Sequence, residues 1–100
     1  MRVVSHLNRL RSEFLSITST ATTDYIPIDL SGAVEVVLNL TEGTVDGFLT
    51  NEPYAGSPRL NITDTQGNKP LVVRSNDDRL YWVSSAAAVS TLEIWVVRRG

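Results

Sequence analysis

The chain has 100 residues, a formal net charge of −2, 42% hydrophobic and 20% charged residues, and no cysteine. This length suits one domain but not two, and the composition is that of a globular chain rather than a disordered one. The absence of cysteine excludes a disulfide framework, a thiol nucleophile and a cysteine-bound metal. With a single histidine as well, we expect no enzyme activity, no catalytic residue, no metal and no other cofactor.

Membrane and nucleic-acid partners are not expected either. No stretch reaches the roughly 18 consecutive apolar residues of a membrane-spanning helix. The N-terminal residues also lack the apolar stretch and cleavage site of a secretory signal, so we expect them in the mature chain. No basic stripe interleaved with aromatic residues is present, which argues against nucleic acid.

The charges are distributed unevenly along the chain. Residues 1–15 carry three Arg and one Glu, and Arg98 and Arg99 are adjacent, whereas residues 16–97 carry ten acidic groups against four basic ones. Basic ends can attract the acidic body of a neighbouring copy over about a Debye length, roughly 8 Å at physiological salt. The alternative is a solvated scatter of charge.

Residues 1–13 are predicted to form an N-terminal arm or a short amphipathic helix ahead of a β domain at residues 14–100. Four apolar residues recur at spacings of four, three and four, which is one stripe of a helix. They are Val3, Leu7, Leu10 and Phe14. A helix this short is marginal alone in water, so the stripe needs a surface to pack against. An extended arm remains the alternative, because the valines and serines are compatible with a strand.

From residue 14 onward the apolar period changes to two, which predicts strands. In residues 33–41 four apolar side chains are expected on one face, namely Val34, Val36, Leu38 and Leu40. Pro27 indicates an edge strand because it lacks an N–H. Seven or eight short strands separated by turn-rich segments predict an all-β fold, either an antiparallel β-sandwich or a small β-barrel.

The last two predicted strands are apolar on both faces, which is unusual for a sheet with one side in water. On the first of them Tyr81 alternates with Trp82, and on the second Trp95 and Val97 alternate with Ile94. We therefore expect the second face to be covered by the N-terminal segment, a second sheet or a neighbouring subunit.

Exposed aromatic residues are the remaining site candidates. Tyr81 and Trp95 are predicted to face outward, where they would belong to a subunit interface or form a platform for a sugar ring. Tyr54 lies in the irregular segment 51–58, where it would anchor a partner or cover the end of the fold.

Three features together suggest a known class of proteins. They are the short N-terminal arm, a Ser/Thr-rich β body such as LSGAVEVVLNLTEGTV, and a closing hairpin, RLYWVSSAAAVSTLEIWVV, followed by Arg98-Arg99-Gly100. In this organisation the chain resembles small structural proteins of tailed-phage virions. The resemblance covers most of the chain without a fixed motif, so it assigns no residue a role. It implies a homo-oligomeric subunit with capsid or other virion proteins as partners.

The predicted function is therefore that of a non-enzymatic structural subunit of a bacteriophage virion. Such a subunit would decorate or cement the capsid, or join a related assembly, through its arm and β surfaces. The predicted partner-binding residues are Val3, Leu7, Leu10, Phe14, Tyr54, Tyr81, Trp95 and Val97. The alternative is a carbohydrate-binding β-sandwich module that uses the exposed aromatic side chains.

Overall fold

The described part of the chain folds into eight β-strands in two antiparallel sheets. The computed structural model describes residues 10–63, 71–73 and 78–99, and these contain no helix. The strands are β1 (Leu10–Ser19), β2 (Ile26–Asp29), β3 (Ala33–Leu40), β4 (Gly47–Thr50), β5 (Arg59–Ile62), β6 (Leu71–Val73), β7 (Arg79–Ser84) and β8 (Ser90–Arg99). Sheet I has the order β1-β8-β3-β6, and sheet II has the order β2-β7-β4-β5. The all-β antiparallel fold is confirmed, and the described strands are sandwich-like rather than a closed barrel.

Apolar side chains from the two sheets form one core. In sheet I the core residues alternate along β3 and β8, as the pleat of a half-buried sheet requires. The buried members are Val36, Leu38, Leu40, Leu92, Ile94 and Val96 from sheet I, and Ile28, Leu49, Ile62 and Trp82 from sheet II. Complete burial of a side chain of this size contributes about 1.5–3 kcal/mol.

The predicted face of β3 is correct except at its first apolar position. Val36, Leu38 and Leu40 are buried, but Val34 is 39% exposed. The register with β8 shifts between Ala33 and Glu35, and the extra residue of such an irregularity takes a side chain off the alternating face.

Pro27 lies in an edge strand, as predicted. It belongs to β2, which among the described strands pairs with β7 alone and forms one edge of sheet II. The missing N–H therefore costs no bond on the side that faces away from β7.

Part of the predicted N-terminal arm belongs to the sheet. Strand β1 begins at Leu10 and pairs with β8 through Ser19. Residues 10–13 are thus extended and not helical, and the β domain begins before residue 14. The predictions for Val3 and Leu7 lie outside the described residues.

The predicted closing hairpin is wrong. Strand β7 belongs to sheet II and β8 to sheet I, so the connection between them crosses from one sheet to the other. The second face of β7 is covered in part within the chain, because Val83 is fully buried. The second face of β8 is different, since Trp95 remains 50% exposed.

Three buried serine hydroxyls bind backbone groups at one end of the sandwich. The Ser19 hydroxyl accepts the N–H of Ser84 (2.9 Å) and donates to the carbonyl of Asp24 (2.7 Å). The Ser90 hydroxyl donates to the carbonyl of Val45 (2.7 Å), and the Ser84 hydroxyl binds carbonyls of the loop before β8. These bonds satisfy polar groups that burial would otherwise leave unpaired.

Candidate interaction surface

The outer face of sheet I carries an apolar strip across three strands. The register places Phe14 of β1, Trp95 of β8 and Val37 of β3 in one row. Residues two positions away on a strand share its face, so Leu10 and Val97 lie on the same side. We call these five residues, Leu10, Phe14, Val37, Trp95 and Val97, the outer strip.

An aromatic pair forms the centre of the outer strip. The rings of Phe14 and Trp95 have centroids 4.9 Å apart and planes inclined by 54°. A cross-strand pair of this kind contributes about 0.5–1.5 kcal/mol beyond the burial of its area. Even so, Phe14 is 47% exposed and Trp95 is 50% exposed, so the pairing leaves about half of each side chain in water.

Polar residues border the outer strip on the side nearer the buried serines. In the next row the amide of Asn39 donates to the carboxylate of Glu93 (3.1 Å). One row further, the hydroxyls of Thr18 and Thr91 are hydrogen-bonded at 3.0 Å. On the other side Ser12 and Glu35 share the row of Val97, and Arg99 lies opposite Leu10. The apolar row of Phe14, Trp95 and Val37 thus has polar residues on both sides, which is the arrangement of an interface with a hydrophobic centre and a polar rim.

Strand β1 gives this face an open edge. It has ten residues and lies at one end of sheet I, where β8 is its only partner among the described strands. Among the described residues no strand pairs with its other side, which is the arrangement of a sheet edge.

An open cleft of about 540 Å³ lies between the inner face of β1 and strand β2. Arg98 spans its base, donating to the carbonyls of Asp29 (2.6 Å) and Ser31 (2.7 Å) and to the carboxylate of Glu13 (3.0 Å). Arg11 and Arg99 also line the cleft. Since the guanidinium of Arg98 is already bound by three protein groups, it serves to join the two sheets.

The Asp29 carboxylate lies beside this cleft and is held in its charged form. It accepts the backbone N–H of Ser31 at 2.9 Å. Hydrogen bonds from the backbone and side chain of Ser31 lower the pKa of Asp29 below its ordinary value of 3.8, and the positive charges of Arg98 and Arg79 act in the same direction.

Tyr81 does not join Trp95. It lies on β7 next to the fully buried Trp82 and pairs with Pro27 and Thr50, so it faces the outer side of sheet II. Trp95 faces the outer side of sheet I, since its neighbours on the strand are in the core. The two rings are on opposite faces of the sandwich, and the predicted platform of Tyr81 and Trp95 is wrong.

Tyr54 lies apart from the outer strip, in the connection between β4 and β5. Its ring is 54% exposed. A hydrogen bond to Glu52 and the negative charge of that residue raise the pKa of Tyr54. The connection is held by Ser57, whose buried hydroxyl donates to the carbonyl of Tyr54 at 2.8 Å, so Tyr54 is presented on an ordered turn.

Neither Val37 nor the open edge of β1 is among the predicted parts of the surface. Val37 belongs to the unbroken run Val36-Val37-Leu38. An apolar residue on the otherwise polar face of an alternating strand indicates that this face also makes apolar contacts. The edge position of β1 had no comparable signal, because strand order depends on contacts distant in sequence.

Comparisons with known proteins give no family or relative for this fold and surface. No protein-family model, curated protein or solved structure matches the chain. Within the described ranges, no helix is long and apolar enough to cross a membrane, and no three His, Asp or Glu side chains gather as a metal site would require.

Proposed function

We propose that this protein is a non-enzymatic structural subunit of a virion, of the capsid-decorating or cementing kind, and that the outer strip binds a neighbouring subunit. The observation that carries the proposal is the half-exposed pair of Phe14 and Trp95. Its sheet already buries its other face in the core, so the pair is not needed to complete that core. Aromatic residues are enriched at the centres of protein interfaces, where burial contributes most.

The geometry favours a protein partner over a sugar. A platform for a sugar ring needs a flat aromatic surface, but the planes of Phe14 and Trp95 are inclined by 54°. A tilted pair suits side chains that insert between and around the rings. Carbohydrate binding by Trp95 alone is therefore the outcome against which the proposal is tested.

The deciding experiment measures binding to particles. Purified virions whose genome encodes this chain are examined by mass spectrometry, and we expect the chain in stoichiometric copies. Particles stripped of it are then incubated with the wild type, Trp95→Ser and Val89→Ser. Val89 is 51% exposed in the connection between β7 and β8, so its variant is the matched control for loss of exposed apolar surface.

We expect Val89→Ser to bind as the wild type does and Trp95→Ser to bind roughly tenfold more weakly or worse, as for a hot-spot residue. Absence of the chain from the particles, or equal binding of the Trp95 variant, overturns the proposal. A glycan that saturably changes Trp95 fluorescence, without binding to particles, would establish the carbohydrate function instead.

A further inference from the structure

The long open edge of β1 differs from the other edges of this fold. Natural sheets protect exposed edges with short strands, proline, charged side chains or bulges. In sheet II, the edge strand β2 has four residues and contains Pro27. Strand β1 has ten residues with neither Pro nor Lys, and its register with β8 is unbroken from Leu10 to Ser19. Its charged residues, Arg11 and Glu13, are of opposite sign, so this regular edge can pair with a strand of complementary charge.

The direction of its backbone groups follows from the hydrogen bonds of β8. Arg99 donates its N–H to the carbonyl of Gly32, and the carbonyl of Thr91 accepts the N–H of Thr41. Odd-numbered residues of β8 thus turn their backbone groups toward β3. The register pairs these odd-numbered residues of β8 with even-numbered residues of β1. Since their backbone groups point toward β3, each such pair of β1 and β8 is a non-hydrogen-bonded pair. The even-numbered residues of β1 therefore turn their N–H and C=O groups toward the open edge.

We propose that β1 pairs antiparallel with β1 of a second copy of this chain, about a two-fold axis at Ser12. This register sets Arg11 opposite the partner's Glu13, and the symmetry repeats that pair of opposite charges. It also sets Leu10 opposite the partner's Phe14. Centring the axis on Arg11 or on Glu13 would instead place like charges opposite each other, which destabilises a strand pair.

In this register residues 10–14 of one copy pair with the same five residues of the other, and this brings together the ends of the two outer strips. Leu10 is 53% exposed and Phe14 is 47% exposed, and each would be covered by the other residue type from the second copy. The two sheets I would join into one eight-stranded sheet, and the two outer strips would meet across the axis. The inference rests on the proposed function, because it names a second copy of the chain as the neighbour along this surface.

A cysteine placed on the axis tests the register directly, since the protein has no cysteine of its own. Hydrogen-bonded antiparallel partners have Cα atoms about 5.5 Å apart, within the range that a disulfide spans. The variant Ser12→Cys should therefore form a covalent dimer under mild oxidation.

The matched control is Ser16→Cys, which lies on the same face and strand. In the proposed register the two copies of residue 16 are roughly 27 Å apart along the strands, so this variant should not crosslink. Faster or equal crosslinking of Ser16→Cys overturns the register.

A proline tests whether the open edge itself forms the contact. Ser12→Pro removes an N–H that points away from β8, and proline is tolerated on the free side of an edge strand. Sedimentation should show a concentration-dependent dimer for the wild type and a monomer for Ser12→Pro, with circular dichroism reporting an unchanged β fold. If the proline variant unfolds, the crosslinking comparison decides alone. A wild type that stays monomeric up to about 1 mM overturns the proposal.

Failure of this inference is distinguishable from failure of the proposed function. A monomeric chain that still binds particles through Trp95 contradicts the self-pairing alone. A dimer crosslinked at residue 12 that is absent from particles contradicts the virion role alone.

Discussion

The indole ring of Trp82 occupies the space beside the backbone of Gly47. A Cβ atom on Gly47 would overlap the six-membered ring of Trp82 and would lie 2.7 Å from the carbonyl oxygen of Val83. Strand β4 therefore lies against the largest buried side chain of the core only because residue 47 has no side chain. The Trp82 ring is held there by its Nε1–H, which donates to the carbonyl of Ser90 at 3.0 Å.

Replacing Gly47 with alanine should destabilise the protein by about 1–3 kcal/mol, the usual cost of overpacking a core. The free energy of unfolding in urea measures the effect. Gly56→Ala is the control, because its added Cβ would meet only the Tyr54 ring at ordinary contact distances of 3.8 and 3.9 Å. Equal stabilities of the two variants would contradict this role of Gly47.

The two tryptophans should be distinguishable by fluorescence. Trp82 is fully buried and Trp95 is 50% exposed, so acrylamide should quench only part of the wild-type emission. In Trp95→Phe the remaining emission should be blue-shifted and resistant to quenching, because it comes from Trp82 alone. Full quenching in that variant would show that Trp82 is accessible to solvent.

The all-β fold was predictable because apolar alternation is local information. In β3 the positions of Val36, Leu38 and Leu40 indicate both the strand and its buried face. Val34 was misplaced because the bulge next to Ala33 depends on the partner strand. Pro27 indicated its edge correctly, since a missing N–H restricts pairing whatever the partner is.

The candidate surface was only partly predictable. The apolar character of Trp95 and Val97 in a predicted strand identifies them as surface candidates. Leu10 and Phe14 fit the predicted helical stripe because a spacing of four places two residues on one face in a helix and also in a strand. The predicted platform of Tyr81 and Trp95 requires a hairpin of consecutive strands, whereas β7 and β8 lie in different sheets.

The buried hydroxyl of Ser19 should be important for stability. Ser19→Ala would leave the N–H of Ser84 and the carbonyl of Asp24 without the bonds they now make. An unsatisfied buried group costs about 1–3 kcal/mol, and we expect a loss in that range by urea unfolding. Ser16→Ala on the exposed face of β1 is the control and should change stability by less than about 0.5 kcal/mol. A neutral Ser19→Ala would show that water replaces both bonds.

Arg98 should stabilise the protein more than its ion pair with Glu13 suggests. Its side chain is 13% exposed and that of Glu13 is 51% exposed, so the charge pair itself is worth at most about 1 kcal/mol. Glu13→Gln is therefore expected to be nearly neutral. Arg98→Met also removes the donors to the Asp29 and Ser31 carbonyls, at about 1.5–3 kcal/mol for each charged hydrogen bond if it is not replaced by water. Thermal unfolding of both variants makes the comparison, and equal losses would assign the stabilisation to the ion pair.

Acid should weaken the fold through Asp29. The hydrogen bonds from Ser31 lower the pKa of Asp29 in the folded state below the ordinary value of 3.8, and the nearby arginine charges add to this. The unfolded chain therefore binds the proton more readily than the folded chain. The stabilisation is complete above the ordinary value and is lost as the pH falls through the folded-state pKa. Carboxyl NMR should find Asp29 titrating below 3.8. Asp29→Asn should be less stable than the wild type at neutral pH, and the difference should shrink on acidification; a difference independent of pH would contradict this account.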